Sequence, residues 1–310
     1  MRKMMFFILA AAFALVVAGC GQDNASPAAG KQDTLTVKHE LGETKVKKKP
    51  EKVVVFDFGV LDTLDQWGVK VTGLPQDNLP KYLSKFKGDK YENVGSLKEP
   101  DFEKIHAAQP DLIIISGRQA DMYDQFKEIA PTIYMGVDTS RYMDSFRENV
   151  NQLAKIFDKE SEAKKELEAI DKDIDKLKEK ANDAGKNALI ILANDGKVSA
   201  YGTGSRFGLI HDVFGIKPVD KNIKASTHGQ SVSFEYIVKK DPDYLFVVDR
   251  GAVVGGQSSA KQVVENDLVK GTKAYKEKHI IYLDPDYWYL SGGGLVSLNE
   301  MVKQVDQALK

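Results

Sequence analysis

Two stretches of the chain repeat one chemical pattern at one spacing. Phe102–Arg118 reads FEKIHAAQPDLIIISGR and Phe234–Arg250 reads FEYIVKKDPDYLFVVDR. Aligned without gaps, they agree at six of seventeen positions: Phe, Glu, Ile, Pro, Asp and Arg. Helix, Pro-Asp, strand is a common α/β phrase, so the informative members are the acid at the head and the guanidinium at the tail. In a parallel α/β layer a helix runs antiparallel to the strand that follows it, and the helix start and strand end share the sheet's carboxyl edge. Glu103 and Glu235 therefore stand at that edge in the first helical turn, where an acid suits the dipole. Arg118 and Arg250 end their strands there, where open α/β sheets take their ligands. Capping alone would account for either glutamate, and pairing with an acid such as Asp249 for an arginine. Repetition of both at one offset favours a shared function. If the two halves face each other, the arginines converge in a cleft and the glutamates stand on its rims.

A third arginine follows a glycine-rich run, Tyr201-Gly202-Thr203-Gly204-Ser205-Arg206-Phe207-Gly208. Ser205 reads as an N-cap, which makes Arg206 the first helical residue. A cation there opposes the helix dipole, so local helix energetics do not explain it. A glycine-rich loop leading into a helix is friendly to anions, although this one lacks the Gly-Lys-Ser/Thr of a phosphate-binding loop.

The elements that must position these residues can be read along the chain. Leu35–His39 and Thr44–Val46 predict a small hairpin around Leu41-Gly42, and the basic Lys45–Lys52 reads as a solvated edge. Val53–Phe56 is a continuous apolar run, the mark of a strand buried on both faces. A helix from Val60 to Trp67 and strands at Val69–Gly73, Leu112–Ile115 and Thr132–Tyr134 follow. Between Arg141 and Asp183 the strands stop. Arg141–Phe157 carries Phe146, Val150, Leu153 and Phe157 on one stripe. Lys159–Asp183 is highly charged, with Leu167, Ile170, Ile174 and Leu177 spaced by three and four. So narrow a stripe predicts a long helix lying along a surface and joining two lobes.

Strands resume at Ala188–Leu192, and the turn Asn194-Asp195-Gly196 leads into Val198–Tyr201. A helix at Arg206–Phe214, another before Pro242, strands at Tyr244–Val248 and Ile280–Leu283, and a helix from Val296 to Leu309 complete the chain. The expected fold is α/β: two Rossmann-like lobes with mainly parallel sheets joined by a long helix. The N-terminal lobe spans 35–140, the helical segment 141–185 and the C-terminal lobe 186–310.

The first 19 residues read as a secretory leader: a basic Arg2-Lys3 head, then an apolar run too short to span a membrane. Val17-Ala18-Gly19-Cys20 places the only cysteine of the chain just past the small residues of a cleavage site. This resembles the bacterial lipobox, in which the cysteine is acylated and anchors the chain by its end. Residues 20–34 are small and polar, a flexible tether. The expected location is the outer face of the cytoplasmic membrane, with a soluble body. Over the full 310 residues 44 Lys and Arg face 45 Asp and Glu; without the leader the balance is 42 − 45 = −3. That balance argues against nucleic acid as a partner. One cysteine excludes an internal disulfide and a Cys-based zinc site.

A lipobox, two α/β halves joined by a helical segment and paired Glu/Pro-Asp phrases resemble the substrate-binding lipoproteins of ABC importers. The chain is most similar to the helical-backbone class (class III periplasmic-binding-protein fold), which delivers ferric siderophores, cobalamin or haem. Val53–Asp57, Val94-Gly95-Ser96-Leu97-Lys98-Glu99-Pro100, His228-Gly229-Gln230-Ser231 and Trp288-Tyr289-Leu290-Ser291-Gly292-Gly293-Gly294 resemble the petrobactin-type catecholate siderophore binders of Gram-positive bacteria. The resemblance implies a monomer that takes a ferric siderophore between its lobes, moves little on closing and needs no cofactor. It implies that Arg118, Arg206 and Arg250 form the pocket and that Glu103 and Glu235 dock to an ABC permease and its ATPase. Glu99 is a neighbouring alternative, because Glu-Pro reads as the start of the same helix.

Two catecholates and a citrate hydroxy-carboxylate around Fe³⁺ leave a charge of roughly −3, well matched by three planar, always charged guanidiniums. Lys98 and His228 are further pocket candidates, and Trp288 and Tyr289 can line the cleft and stack on a catechol. The iron is held by the siderophore, with no direct metal ligand from the chain. Haem or cobalamin is the alternative ligand, with His228 or Tyr289 as the axial ligand for haem. An enzyme is not expected. No Gly-x-Ser-x-Gly elbow or His-Glu-x-x-His occurs, and the five histidines have no metal-ligand spacing.

Overall fold

The apolar runs of the sequence become strands shielded on both faces. In the computed structural model, which describes residues 33–309, β3 (Val53–Val55) and β6 (Leu112–Ile115) are fully buried. The leader, Cys20 and nearly all of the tether lie outside the described residues. The entrance hairpin is β1 (Thr34–His39) and β2 (Gly42–Lys47). With β4 (Gly73–Leu74), β5 (Glu92–Asn93) and β7 (Thr132–Tyr134), the two buried strands form a sheet of order β5-β4-β3-β6-β7, parallel throughout. Its helices are α1 (Phe58–Gln66), α2 (Phe102–Ala108) and α3 (Tyr123–Ile129). The strand expected at Val69–Gly73 contracts to Gly73–Leu74. Gly68 at φ 67° turns the chain out of α1, and the Val69 amide bonds back to Leu64 O at 2.8 Å.

The second sheet is built from β8 (Asn187–Asn194), β9 (Lys197–Tyr201), β10 (Lys217–Pro218), β11 (Gln230–Val232), β12 (Tyr244–Asp249) and β13 (Ile280–Leu283). Its order is β11-β9-β8-β12-β13, with β10 also beside β8. β8, β10, β12 and β13 pair in parallel, while β9 and β11 add antiparallel strands at one side. Asp195 and Gly196, with φ 46° and 79°, make the tight β8–β9 turn. The helices of this half are α6 (Leu209–Asp212), α7 (Phe234–Lys240), α8 (Gly251–Val254), α9 (Ala260–Val264) and α10 (Lys273–Lys276).

In chain order α4 (Tyr142–Phe157) and α5 (Glu160–Ala184) come between the strands of the two sheets. At 25 residues α5 is about 37 Å long. It buries only the stripe read from the sequence, Leu167, Ile170, Ile174 and Leu177, extended at either end by Ala163 and Ala181. Among the described residues no helix is long and apolar enough to cross a membrane. One continuous apolar core runs from Val53 and Leu64 through Leu167 and Ile174 to Leu192 and Val305, and each sheet has a smaller cluster on its outer face.

The C-terminal helix α11 (Leu295–Ala308) packs on α5 and on α1, so the end of the chain returns to the first half. Gly59 permits the approach: a Cβ there would stand 2.8 Å from the Gly294 amide nitrogen. Asp62 of α1 sits at the N-terminus of α11 and accepts from the Val296 amide at 3.2 Å and the Ser297 amide at 3.0 Å. Its Oδ2 also lies 2.9 Å from the Tyr82 hydroxyl, which lies 2.7 Å from Ser291 Oγ, and Ser291 donates to Asp286 O at 2.8 Å. That row of three contacts has a proton for each only when Asp62 is itself protonated. Consistent with this, burial lifts the Asp62 carboxyl to about 7, against the hydrogen bonds from Ser297, Tyr82 and the helix amides.

An unfolded aspartate titrates near pH ~3.9. The stability that the Asp62 proton provides is therefore fully present below that pH and is lost as the pH rises towards about 7. Asp62→Asn removes this slope. Urea unfolding across the window should show the variant gaining on the parent by a few kcal/mol as pH rises, whereas a constant offset would show that Asp62 titrates normally.

Candidate functional site

Arg118 and Arg250 sit at the carboxyl ends of parallel strands and Arg206 in a turn after the antiparallel strand β9, and all three meet at one tyrosine. Arg118 follows β6 in a tight turn held by Gln119, whose buried side chain donates to Leu97 O at 2.5 Å and accepts from the Ser116 amide at 3.2 Å. Arg250 follows β12 directly, and its amide extends the ladder to Ala193 O at 3.1 Å. Asp249 does not pair with it, because the Asp249 carboxylate accepts from the amides of Ala252 and Ala260 at 3.1 and 2.7 Å. Arg206 lies in the turn between β9 and α6. The Gly204 carbonyl of that turn accepts from the Thr139 hydroxyl at 3.0 Å, a direct link between the halves.

Arg206 reaches its place by a different route from the one expected. The α-helix begins at Leu209, and Ser205 is no N-cap: its hydroxyl donates back to Gly202 O. Asp212 instead takes the Gly204 amide at 2.6 Å and folds the glycine loop onto the helix. The cation is thus held in a compact turn before the helix.

Tyr289 lies on a π-helical turn, Asp286–Ser291, that ends at Gly292 and Gly293 with φ 30° and 99°. Its carbonyl oxygen accepts from Arg118 Nη2 at 2.9 Å and from Arg206 Nη2 at 2.5 Å. Its hydroxyl accepts from Arg250 Nε at 2.8 Å. The guanidinium carbons of Arg206, Arg250 and Arg118 stand 4.3, 5.8 and 6.0 Å from the centre of its ring, within cation–π range. Among the described residues none of the three forms an ion pair with a carboxylate; Arg250 Nη1 instead donates to Asn194 Oδ1 at 2.7 Å. Burial and the neighbouring Arg118 charge hold the Arg206 pKa below its ordinary value. Burial pushes the Tyr289 phenol upward, but the Arg250 hydrogen bond and the charges of Arg206, Arg250 and Arg118 outweigh it and leave the pKa lowered.

Trp288, the neighbour of Tyr289, is turned away from the arginines. It is 3% exposed, packed in the core, and its indole donates to Gln304 of α11 at 3.2 Å. It does not line the site. Lys98 and His228 are exposed on loops, and among the described contacts none joins either side chain to the cluster. Glu103 and Glu235 stand exposed in the first turns of α2 and α7. A Ser233 hydrogen bond lowers the Glu235 carboxyl pKa. Glu99 is exposed too, but Glu99-Pro100 does not begin α2, which starts at Phe102 with Asp101 as its cap, accepting from the Lys104 amide at 3.1 Å.

Two residues of the site carry no mark in the repeat. Asn194 orients Arg250 from the end of β8. Asp57 caps α1 at the end of β3, close enough for the Arg118 charge to act on it. Burial raises its carboxyl, against the Ser116 and Val60 hydrogen bonds and the Arg118 charge. Both lie at strand carboxyl ends, the signal by which they could have been found. A separate cavity of about 380 Å³, lined by Met143, Arg147, Asp171, Lys178 and Asp212 among others, does not include the arginines. Among the described residues no group of three or more His, Cys, Asp or Glu could hold a metal ion.

Two α/β halves joined by a helical spine, with arginines gathered between them, are the architecture of a solute-binding protein. Residues 53–287 match the periplasmic binding protein family, and the chain belongs to it. It is 57% identical to the petrobactin-binding protein YclQ of Bacillus subtilis, with all of both chains aligned. The crystal structure of YclQ superposes with a TM-score of 0.88 at 60% identity, covering 90% of this chain and 99% of that one. The periplasmic catecholate-siderophore binding protein VctP of Vibrio cholerae superposes with a TM-score of 0.85 at 37% identity, covering 89% of this chain and all of the other.

The Tyr289 titration reports directly on this cluster. Arg250→Ala removes one hydrogen bond and one charge, so the Tyr289 pKa should rise in a ¹³C-tyrosine NMR titration assigned with Tyr289→Phe. An unchanged titration would mean that Arg250 does not act on the phenol.

Proposed function

We propose that this chain captures a ferric catecholate-type siderophore, petrobactin-like in its chemistry, outside the cytoplasm and delivers it to an ABC permease for iron uptake. The observation that carries the proposal is the convergence of Arg118, Arg206 and Arg250 on Tyr289 without an ion-paired carboxylate. Such a cluster suits a compact, oxygen-rich trianion, and the ligands named for YclQ and VctP support the same class. Catecholate oxygens accept from the planar guanidinium forks, and the ring of Tyr289 offers a stacking face. The iron is cargo held by the siderophore. Lys98 and His228 add polar groups at the rim, and acylated Cys20 keeps the body at the membrane near its permease. Glu103 and Glu235, one on each half and both exposed, are the docking residues, with Glu99 beside the first.

Binding and delivery separate by mutation. Charged hydrogen bonds contribute roughly 1.5–3 kcal/mol each, so each Arg→Ala should weaken ferric-catecholate binding by about ten- to a hundredfold in a fluorescence-quenching titration. Glu103→Ala and Glu235→Ala should leave that affinity nearly unchanged and impair iron uptake by cells. A folded triple-alanine variant that still binds ferric catecholate at parental affinity would defeat the pocket assignment.

A further inference from the structure

Tyr289 is held among the arginines by an element from the other end of the chain. A short 3₁₀ helix, Lys81–Phe86, grips both ends of the π-helical turn. The Lys81 amide donates to Asp286 Oδ2 at 3.0 Å, at the first residue of the turn. The Tyr82 hydroxyl lies 2.7 Å from Ser291 Oγ, at the last. Between these points the Tyr82 ring packs on Tyr287, with centroids 4.6 Å apart. The hydroxyl is also fixed from behind by Asp62 Oδ2 at 2.9 Å. Burial raises the Tyr82 pKa, and the Asp62 charge adds to it once Asp62 ionises, so the phenol keeps its proton. No arginine of the cluster makes a cation–π contact or hydrogen bond with Tyr82 among those described.

A π-helical turn is a rare conformation that persists where its surroundings enforce it. Relaxation to an α-helical register shifts hydrogen-bond partners by one residue, a rotation of about 100° around the axis. Such a shift would carry the Tyr289 carbonyl away from Arg118 and Arg206. We propose that Tyr82, braced by Asp62 and acting through Ser291, is a positioning residue of the site: it holds the π-helical turn in the register that keeps Tyr289 among the three arginines. The consequence for ligand binding rests on the siderophore reading above; the effect on Tyr289 does not. Because Tyr82 and Asp62 belong to the first half, while Arg206 and Arg250 belong to the second, the brace also fixes where the second half meets the first.

The test uses the full chain with Tyr82→Phe and, from the other end of the same link, Ser291→Ala. Thermal melting and circular dichroism establish that each variant is folded. The Tyr289 pKa is read by ¹³C-tyrosine NMR, and affinity by quenching with a ferric catecholate. Both variants should show the Tyr289 pKa moving upward, and ferric-catecholate affinity should fall by about three- to tenfold, the size of one neutral hydrogen bond. If Tyr82 serves stability alone, the melting temperature falls while the Tyr289 titration stays where it is in both folded variants, and the proposal is overturned. A shifted Tyr289 titration with undiminished ferric-catecholate affinity would uphold the positioning role and remove the ligand assignment instead. Ser291→Ala decides the matter if Tyr82→Phe fails to fold.

Discussion

Three guanidinium groups gathered around one tyrosine repel one another, and the fold has to hold them there. Water would screen the repulsion, but Arg206 is largely withdrawn from it, and its depressed pKa records the burial and the Arg118 charge. What offsets the repulsion is dipolar: one backbone carbonyl shared by Arg118 and Arg206, a phenol oxygen on Arg250, an amide oxygen from Asn194 and the face of an aromatic ring. None of these neutralises a charge. An anion bound there, as proposed, would meet cations that are already oriented and partly desolvated, which would strengthen each new contact. A neutral ligand of the same shape would leave them unpaired and covered.

The rest of the architecture can be understood as support for that arrangement. Parallel strands place Arg118 and Arg250 at carboxyl edges that meet at Tyr289, and the glycine turn after β9 adds Arg206. The core that runs through both halves, with α5 along one side and α11 returning to α1, ties them with packing rather than with flexible strands alone. Such packing favours small adjustments over a wide hinge. The Asp62 row lies at this junction and connects helix packing to the turn that carries Tyr289.

Much of this was legible in the amino-acid sequence because it is local. Apolar runs gave β3, β6 and β12, the spacing of three and four gave α5, and the repeated Glu–Arg offset marked Arg118 and Arg250. Arg206 was marked for an incomplete reason: the glycine loop does present it, but through Asp212 rather than through a Ser205 cap. Trp288 and Tyr289 differ by one residue and point to opposite environments, which a π-helical turn decides and a pattern of aromatics does not. The Tyr82–Ser291 and Asp62–Ser297 pairs join positions more than two hundred residues apart. No periodicity signals such contacts; they exist only once two lobes have folded and the last helix has returned to the first.

The central claim is that charge selects the ligand. Its most direct test is a set of parallel quenching titrations of one protein preparation with an anionic ferric catecholate, a neutral ferric hydroxamate and haem. The ferric catecholate should bind most tightly and weaken modestly with added salt, because a partly closed cleft is screened less than an open surface. The hydroxamate should bind poorly at any salt. Hydroxamate affinity equal to that of the catecholate, or tighter binding of haem with a shifted Soret band, would contradict the account.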